Sequence, residues 1–453
     1  MVTAVVSEGQ AQPQGAGDAA GAGVKGGFYR WLVVAILFAG YCFSAIDARV
    51  LTLMVEPIQR DLNLSDFEIS LLQGFAFSLL YSIAALPIGR FVDRTKRRAT
   101  LIVWGVIFWS AMTAACGFTS SFIGLFLARV GVGVGEATLS PTAYSLISDY
   151  FERRRRALAI SFYAIGYPIG GGLALLIGGW LLVRFTKMGG VTLPLLGSFE
   201  PWQMVFLCVA APGLIIAALM MTIREPARQE VAANLSAQSS LREGFAYISE
   251  RWALFGSLIG SLALIALLAI GTALWFPTFL IRSYGMSPAE VGMSYGMVML
   301  VCGTTGTLAG GWFAGRLMQN GRADANMRVV LIATLLKGVP LIIAPLMPTA
   351  FWSLVMMAIG TLIGQASQGV MLTAIQDVTP NQLRGQVTAI SLLFVNLVGM
   401  GLGASVIAAI TDFGFGDQAA LGYSIAIAGA VALPLIIGLL LVALPHYRRA
   451  VEG

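Results

Sequence analysis

The chain has 453 residues, of which 57% are hydrophobic and only 11% are charged, whereas charged residues make up about 25% of a typical soluble domain. This composition excludes a soluble globular protein and predicts an all-α polytopic membrane protein. The net charge of +6 does not indicate nucleic-acid binding, because membrane proteins collect lysine and arginine on their cytoplasmic side.

Apolar runs long enough to cross a bilayer follow a tail, residues 1–27, that is rich in alanine, glycine and glutamine and that we expect to be disordered. The runs predict twelve transmembrane helices. They lie at about 30–56, 67–90, 99–117, 122–147, 156–184, 201–223, 252–281, 288–316, 327–347, 350–376, 387–411 and 420–445. Both chain termini therefore lie on the same side of the membrane.

Two six-helix halves repeat each other. GRFVDRTKRR ends span 2 and GGWFAGRL ends span 8, while RRALAIS opens span 5 and GQVTAIS opens span 11. Such repeats predict pseudo-symmetric bundles with the substrate site between them near the midplane. The predicted parts are an N-terminal bundle at 28–223, a cytoplasmic linker at 224–250, a C-terminal bundle at 251–447 and a tail at 448–453. Within the linker, 241–250 is expected to form a helix on the membrane surface.

The basic residues predict the orientation in the membrane. Most lysines and arginines fall on the side of the N-terminus, and four fall on the other side: Arg60, Arg184, Lys187 and Arg282. This asymmetry predicts that both termini are cytoplasmic, in a protein integral to the inner membrane of the cell.

Charged residues inside spans 1 and 4 are the candidate site residues. Arg129 and Glu136 are seven apart, so on a helix they share nearly one face about 10.5 Å apart along the axis. An ionisable residue in the bilayer costs several kcal/mol and usually faces the bundle interior. One interpretation is a structural ion pair. The other is a switch in which Glu136 and Asp47 take up protons and Arg129 pairs with one of these two carboxylates. Arg129 or Arg49 would then meet an anionic or zwitterionic substrate head.

Several alternative classes of site are disfavoured. The glycines of GVGVG in span 4 lie within a membrane helix, so they favour close helix packing and not phosphate binding. The chain has no Gly-Lys pair, and its single histidine is His446, near the end of the last span. We therefore expect no ATP site, no metal site, no cofactor and no enzyme activity. Lys337, in the middle of span 9, has no role that the sequence assigns.

GRFVDRTKRR resembles the signature loop of the major facilitator superfamily, G-x-x-x-D-R-x-x-R-R. The matching residues are Gly89, Asp93, Arg94, Arg97 and Arg98. The resemblance implies a twelve-helix transporter fold. It also implies that these residues form a charge clasp onto the other half, which holds the outward-open state.

A fuller resemblance is to the spinster branch, the sphingolipid and lysolipid transporters. It is carried by Asp47, LLQGFAFSLLYSIAALPIGRFVDR in span 2, GVGEATLSPTAYSLISDYF in span 4 and SFYAIGYPIGGGLA in span 5. The spinster pattern has arginine directly after the aspartate of span 1, whereas here the order is Asp47, Ala48, Arg49. This shift turns the arginine by about 100° on a helix.

The resemblance implies a proton-coupled secondary active transporter that works by alternating access. Its substrate would be lipid-like and amphipathic, of the sphingoid phosphate or lysophospholipid type, and the protein would act as a monomer in the lipid bilayer without nucleic acid. The alternative is a proton-coupled transporter of a small organic anion or drug. A cavity open sideways to lipid favours the first function, and a closed polar cavity favours the second.

Overall fold

The computed structural model describes residues 27–193, 197–226, 241–319, 324–380 and 382–452. Twelve helical spans are long and apolar enough to cross a membrane, which confirms the predicted number. Spans 1 to 6 are Gly27–Leu53, Asp66–Val92, Arg98–Phe118, Phe122–Tyr150, Leu158–Lys187 and Pro201–Met221. Spans 7 to 12 are Trp252–Tyr284, Pro288–Leu317, Ala325–Leu346, Ala350–Asp377, Arg384–Phe415 and Gln418–Val451.

Four short elements of the described residues lie outside the spans. They are the helix Val55–Leu62 after span 1, the antiparallel strands Val191–Leu193 and Gly197–Phe199 before span 6, and the helix Leu241–Glu250 before span 7. The expected helix in the linker is therefore present, whereas 227–240 of that linker and 1–26 of the predicted tail lie outside the described residues.

The predicted C-terminal tail needs a correction. The last helix is Leu421–Glu452, so it continues through the residues that the sequence assigned to a tail. An ion pair explains the extension, because Arg448 Nε lies 2.7 Å from the carboxylate of Asp324 at the start of span 9. We call this end of the bundle, which also carries Arg98, the basic end.

Several spans depart from regular α-helix. Turns of the wider π type occur in spans 2, 8 and 11, at Leu71–Phe75, Met299–Gly303, Val395–Leu402 and Ile410–Phe415. Such turns often mark functional sites. In span 4 the helix Phe122–Glu136 ends, and a second helix, Leu139–Tyr150, begins after two intervening residues. Glu136 is therefore the last residue of the first helical segment.

Apolar packing differs between the two ends of the bundle. One core around Trp109 belongs to the N-terminal half, and another around Phe255 belongs to the C-terminal half. At the end opposite to the basic end, a single cluster joins Trp202 of span 6 to Trp275 of span 7. Within the described ranges, the halves are thus packed together at the opposite end and have separate cores at the basic end.

Charged side chains reinforce this closure at the opposite end. Arg282 of span 7 donates to Glu56 at 2.6 Å, to Gln59 at 2.8 Å and to both carboxylate oxygens of Asp66 at 2.7 and 2.8 Å. These three partners belong to the N-terminal half. We call these four residues the Arg282 cluster. Sequence reasoning did not find it, although Arg282 was one of the few basic residues assigned to that side.

Candidate substrate cavity and buried charges

Arg129 of span 4 is fully buried and reaches across to span 1. Its Nη1 lies 3.8 Å from Oδ1 of Asp47, and its guanidinium donates to the backbone carbonyls of Asp47 at 3.3 Å and Ala48 at 3.4 Å. These carbonyls lie close to the C-terminus of the α-helix Gly27–Val50, where carbonyl oxygens lack partners within the helix and attract cations. Arg129 is therefore bound to span 1 both by charge and by hydrogen bonds.

Asp47 is the carboxylate that Arg129 contacts, which decides between the two partners that the sequence left open. Asp47 is fully buried and accepts a hydrogen bond from the hydroxyl of Thr113 in span 3. Its other oxygen, Oδ1, has no hydrogen-bond donor among the described residues. A buried carboxylate with an incomplete set of donors is costly while it is charged.

Glu136 lies near the same face of span 1 but has a different partner. Ser44, three residues before Asp47, donates its hydroxyl to one oxygen of Glu136. The second oxygen, Oε1, has no donor within the described part of the chain, and the residue is only 4% exposed. The two acids and Arg129 thus form a buried triad between spans 1 and 4, with Glu136 outside the ion pair.

Arg49 faces away from this triad. Its guanidinium carbon lies 5.6 Å from the ring centre of Tyr167 in span 5, and its side chain lines two adjoining cavities between the halves. The larger cavity has a volume of about 510 Å³ and the smaller one of about 90 Å³. They adjoin because both are lined by Arg49, Met299 and Gln365. The shifted arginine of span 1 therefore belongs to the cavity and not to the ion pair.

The larger cavity has a mainly apolar and aromatic wall. Spans 1, 5 and 8 contribute most of the wall, through residues that include Tyr41, Ile165, Tyr167, Pro168, Leu308 and Trp312. Ser161, Thr304 and Thr307 add hydroxyl groups. Such a lining can bind an apolar group and leaves few polar groups to orient it.

Spans 5 and 8 are in close contact from the opposite end of the bundle to about their middle, where a Cβ atom added to Gly172 would lie 2.9 Å from the carbonyl oxygen of Gly296. A Cβ atom added to Gly292 would lie 2.3 Å from the carbonyl oxygen of Leu175, and one added to Gly179 would lie 2.4 Å from the carbonyl oxygen of Pro288. Glycine is required at both positions because the two backbones approach so closely.

Toward the basic end the same two spans separate. A Cβ atom added to Gly311 would have no described atom within 4 Å. Trp312, which lines the larger cavity, is 66% exposed, and Leu158 at the start of span 5 is 61% exposed. The wall of the larger cavity is therefore uncovered beside spans 5 and 8, on the half of the bundle nearest the basic end.

The signature-loop residues occupy different environments. Arg98 is buried within the N-terminal half, where it contacts Asp149 and donates to Glu225 at 2.7 Å. Arg94 and Arg97 are exposed, and no ion pair joins their side chains to the described residues. Gly89 lies in the helix Ala76–Arg94 of span 2. The side chain of Asp93 lies outside the described part. A clasp to the other half is not formed by the arginines described here.

The fold and the cavity between its halves define the chain as a twelve-helix transporter. The family model of the Major Facilitator Superfamily matches residues 37–404, and the chain belongs to that superfamily. Of the solved structures, a bacterial homologue of the human lysosomal transporter spinster, in an inward-facing and unoccupied conformation, is 27% identical with a TM-score of 0.74. That match covers 94% of this chain and 98% of the other.

Curated relatives differ in what they move. An MFS-type efflux pump of Mycolicibacterium smegmatis is 26% identical over 96% of this chain and 98% of its own length. A D-galactonate transporter of Escherichia coli is 24% identical over 91% of this chain and 97% of its own. The sphingosine-1-phosphate transporter SPNS2 of Xenopus tropicalis is 29% identical over 55% of this chain and 45% of its own. The predicted resemblance to spinster proteins is confirmed.

Proposed function

We propose that this protein is a proton-coupled secondary transporter of an amphipathic, lipid-like molecule with an anionic head. One observation carries the proposal: the cavity has Arg49 in its wall, an apolar and aromatic lining, and an uncovered stretch of wall beside spans 5 and 8. We interpret this stretch as a side opening toward lipid. A side opening admits a molecule whose chain is dissolved in the bilayer. The likeness to spinster proteins supports the same class of substrate.

Proton coupling is proposed for Asp47 and Glu136. Both carboxyls are buried, and each has one oxygen without a donor among the described residues. The charged form of Asp47 is therefore stabilised only by Thr113 and by the guanidinium of Arg129 at 3.8 Å, and Ser44 is the hydrogen-bond donor to Glu136 among the described residues. When Arg129 moves away from Asp47, neutralisation by a proton costs less free energy than burial of an unpaired charge.

Arg129 is the proposed link between proton and substrate. Its contacts with span 1 are long, at 3.3 to 3.8 Å, so little hydrogen-bond energy is lost when they break. A rearrangement of span 4 at the break after Glu136 would release Asp47 to a proton and expose the guanidinium to the cavity. The signature-loop residues Gly89, Asp93, Arg94, Arg97 and Arg98 are proposed to form the clasp of the outward-open state, with both chain termini in the cytoplasm and the protein in the inner membrane.

The second candidate is transport of a small organic anion. The D-galactonate transporter is a relative that matches almost the full length of this chain, and the smaller cavity has cations in its wall. The side opening favours the amphipathic substrate, because a small water-soluble anion gains nothing from access through lipid.

The test is uptake by the protein reconstituted in liposomes, with an imposed pH gradient and labelled alkyl phosphates, lysophospholipids and D-galactonate. The wild type should accumulate the amphipathic anions in a gradient-dependent manner. Asp47→Asn and Glu136→Gln should reduce gradient-driven uptake to background, because an amide side chain does not take up and release a proton within the pH range of the gradient. They should still fold, since a neutral amide is cheaper to bury than a carboxylate.

Matched control variants distinguish a loss of proton coupling from a general loss of transport caused by substitution of an acidic residue. Asp61→Asn and Glu250→Gln make the same chemical change at exposed positions and should retain wild-type uptake. Accumulation of D-galactonate without any amphipathic anion would support the second candidate instead. Uptake by Asp47→Asn at the wild-type rate and with the wild-type gradient dependence would exclude Asp47 from coupling.

A further inference from the structure

The smaller cavity contains a second buried cation, contributed by the other half of the protein. Lys337 of span 9 lines it together with Arg49 of span 1 and is only 4% exposed. No hydrogen bond or ion pair joins its ammonium group to the described residues. Because a buried lysine without a partner in a membrane helix is costly, such a residue usually serves a function.

Two hydroxyl groups in the same wall also lack partners. Tyr295 of span 8 and Thr272 of span 7 are each 1% exposed, and neither hydroxyl has a hydrogen-bond partner within the described ranges. Both line the cavity that Arg49 and Lys337 line. Buried polar groups are normally satisfied, so these two donors indicate a polar occupant.

The charges of the cavity are not balanced by its own wall. The other described residues that line it are polar or apolar, such as Gln365, Thr361 and Met357, and none is acidic. Two cations and two free hydroxyls therefore face a space of about 90 Å³, which is room for roughly three water molecules at about 30 Å³ each. That volume suits an anionic head group.

We propose that Lys337 and Arg49 bind one doubly charged anionic head between them, with the hydroxyls of Tyr295 and Thr272 donating to its remaining oxygens. This inference rests on the proposed function and specifies the head group as a phosphate monoester or a similar dianion. A phosphate monoester carries a charge of about −1.5 to −2 at pH 7 and offers three acceptor oxygens. The apolar part of the molecule extends from this site into the larger cavity.

The arrangement also assigns a role to the position of each cation. Arg49 belongs to the N-terminal half and Lys337 to the C-terminal half, so a bound dianion bridges the halves across the cavity. A head with a single negative charge neutralises only one of the two cations. Lys337 is therefore a specificity-determining residue for head charge, distinct from the triad of Asp47, Arg129 and Glu136.

The experiment compares two ligands that differ by one charge. Binding of hexadecyl phosphate and of methyl hexadecyl phosphate is measured by competition in proteoliposomes at pH 8, for the wild type, Lys337→Gln and Tyr295→Phe. The wild type should bind the monoester at least about tenfold more tightly than the diester, the scale of a lost hydrogen bond to a charged group. Lys337→Gln should lose this preference by weakening only the monoester, and Tyr295→Phe should weaken both ligands about two- to tenfold.

Controls keep the inference separate from the proposed function. Lys187→Gln, at an exposed lysine in the last turn of span 5, should leave the preference unchanged. Ethyl phosphate tests whether the head alone is bound without a chain. Binding of neither hexadecyl ligand by the wild type would contradict the proposed function. Binding of both with a monoester preference that Lys337→Gln retains would overturn only the inference about Lys337. Where Lys337→Gln loses the preference, an unchanged melting temperature of that variant excludes misfolding as the cause.

Discussion

The Arg282 cluster should set the balance between the two orientations of the transporter. Removing a partner from a buried ion pair typically costs about 3–5 kcal/mol, and Arg282 is 9% exposed with Asp66 fully buried beside it. The cluster exists only while the opposite end is closed, because its members belong to different halves. In the alternative state these groups separate into water, where their loss costs little.

Arg282→Met should therefore shift the equilibrium toward the state that is open at the opposite end. A difference of about 3–5 kcal/mol corresponds to a shift of roughly 150- to 4000-fold, at 1.4 kcal/mol for each factor of ten. If the wild type is almost completely closed at that end, the variant would populate both the closed and the open state, or mainly the open one.

The assay is the distance between spin labels at Ser120 and Thr349, which are exposed at that end on the two halves. The labels require a background in which the native cysteines are replaced at Cys42, Cys116, Cys208 and Cys302. Arg184→Met, at an exposed arginine on the same side, is the control and should leave the distances unchanged. An identical distance distribution in Arg282→Met and the wild type would refute the reasoning.

Three further changes test other features. Gly74→Ala should separate spans 2 and 11 and slow transport, because the added Cβ would lie 2.4 Å from the carbonyl oxygen of Met400; unchanged uptake kinetics would contradict this. Asp93→Asn should favour the state open at the basic end, seen as longer label distances there, since it removes one member of the proposed clasp. Arg328 and Arg448 hold the pKa of Asp324 below its usual value, so its contribution to stability is present above about pH 3.8 and is lost as the pH falls further. Asp324→Asn should lower the stability at pH 7 by about 1–2 kcal/mol, and the difference in melting temperature from the wild type should narrow at pH 3.

The sequence predicted the spans well because bilayer thickness imposes one long apolar run per helix. It also placed Asp47, Arg129 and Glu136 in the interior, since a charge in a membrane helix avoids lipid. It left open which acid pairs with Arg129. The reason is that Asp47 lies 82 residues away from Arg129 along the chain, and helix periodicity describes one helix at a time.

Contacts between the two halves could not be predicted from the sequence. Arg282 contacts residues more than 200 positions away, and nothing in the local pattern links them. Lys337 was visible as an unexplained charge, but its partner across the cavity and the free hydroxyl of Tyr295 became apparent only in the fold. The continuation of the last helix to Glu452 depends likewise on a distant contact with Asp324.

The separation of spans 5 and 8 toward the basic end has a consequence for chain length. Extracting an alkyl chain from lipid into water costs about 0.8 kcal/mol for each methylene group, which would make transport fall steeply as the chain lengthens. Through an opening at the side, past Trp312 and Leu158, the chain can stay among lipid tails while only the head moves between the halves. The transport rate of a homologous series should then depend weakly on the number of methylenes, and a protein built this way can serve a mixture of lipids that share one head.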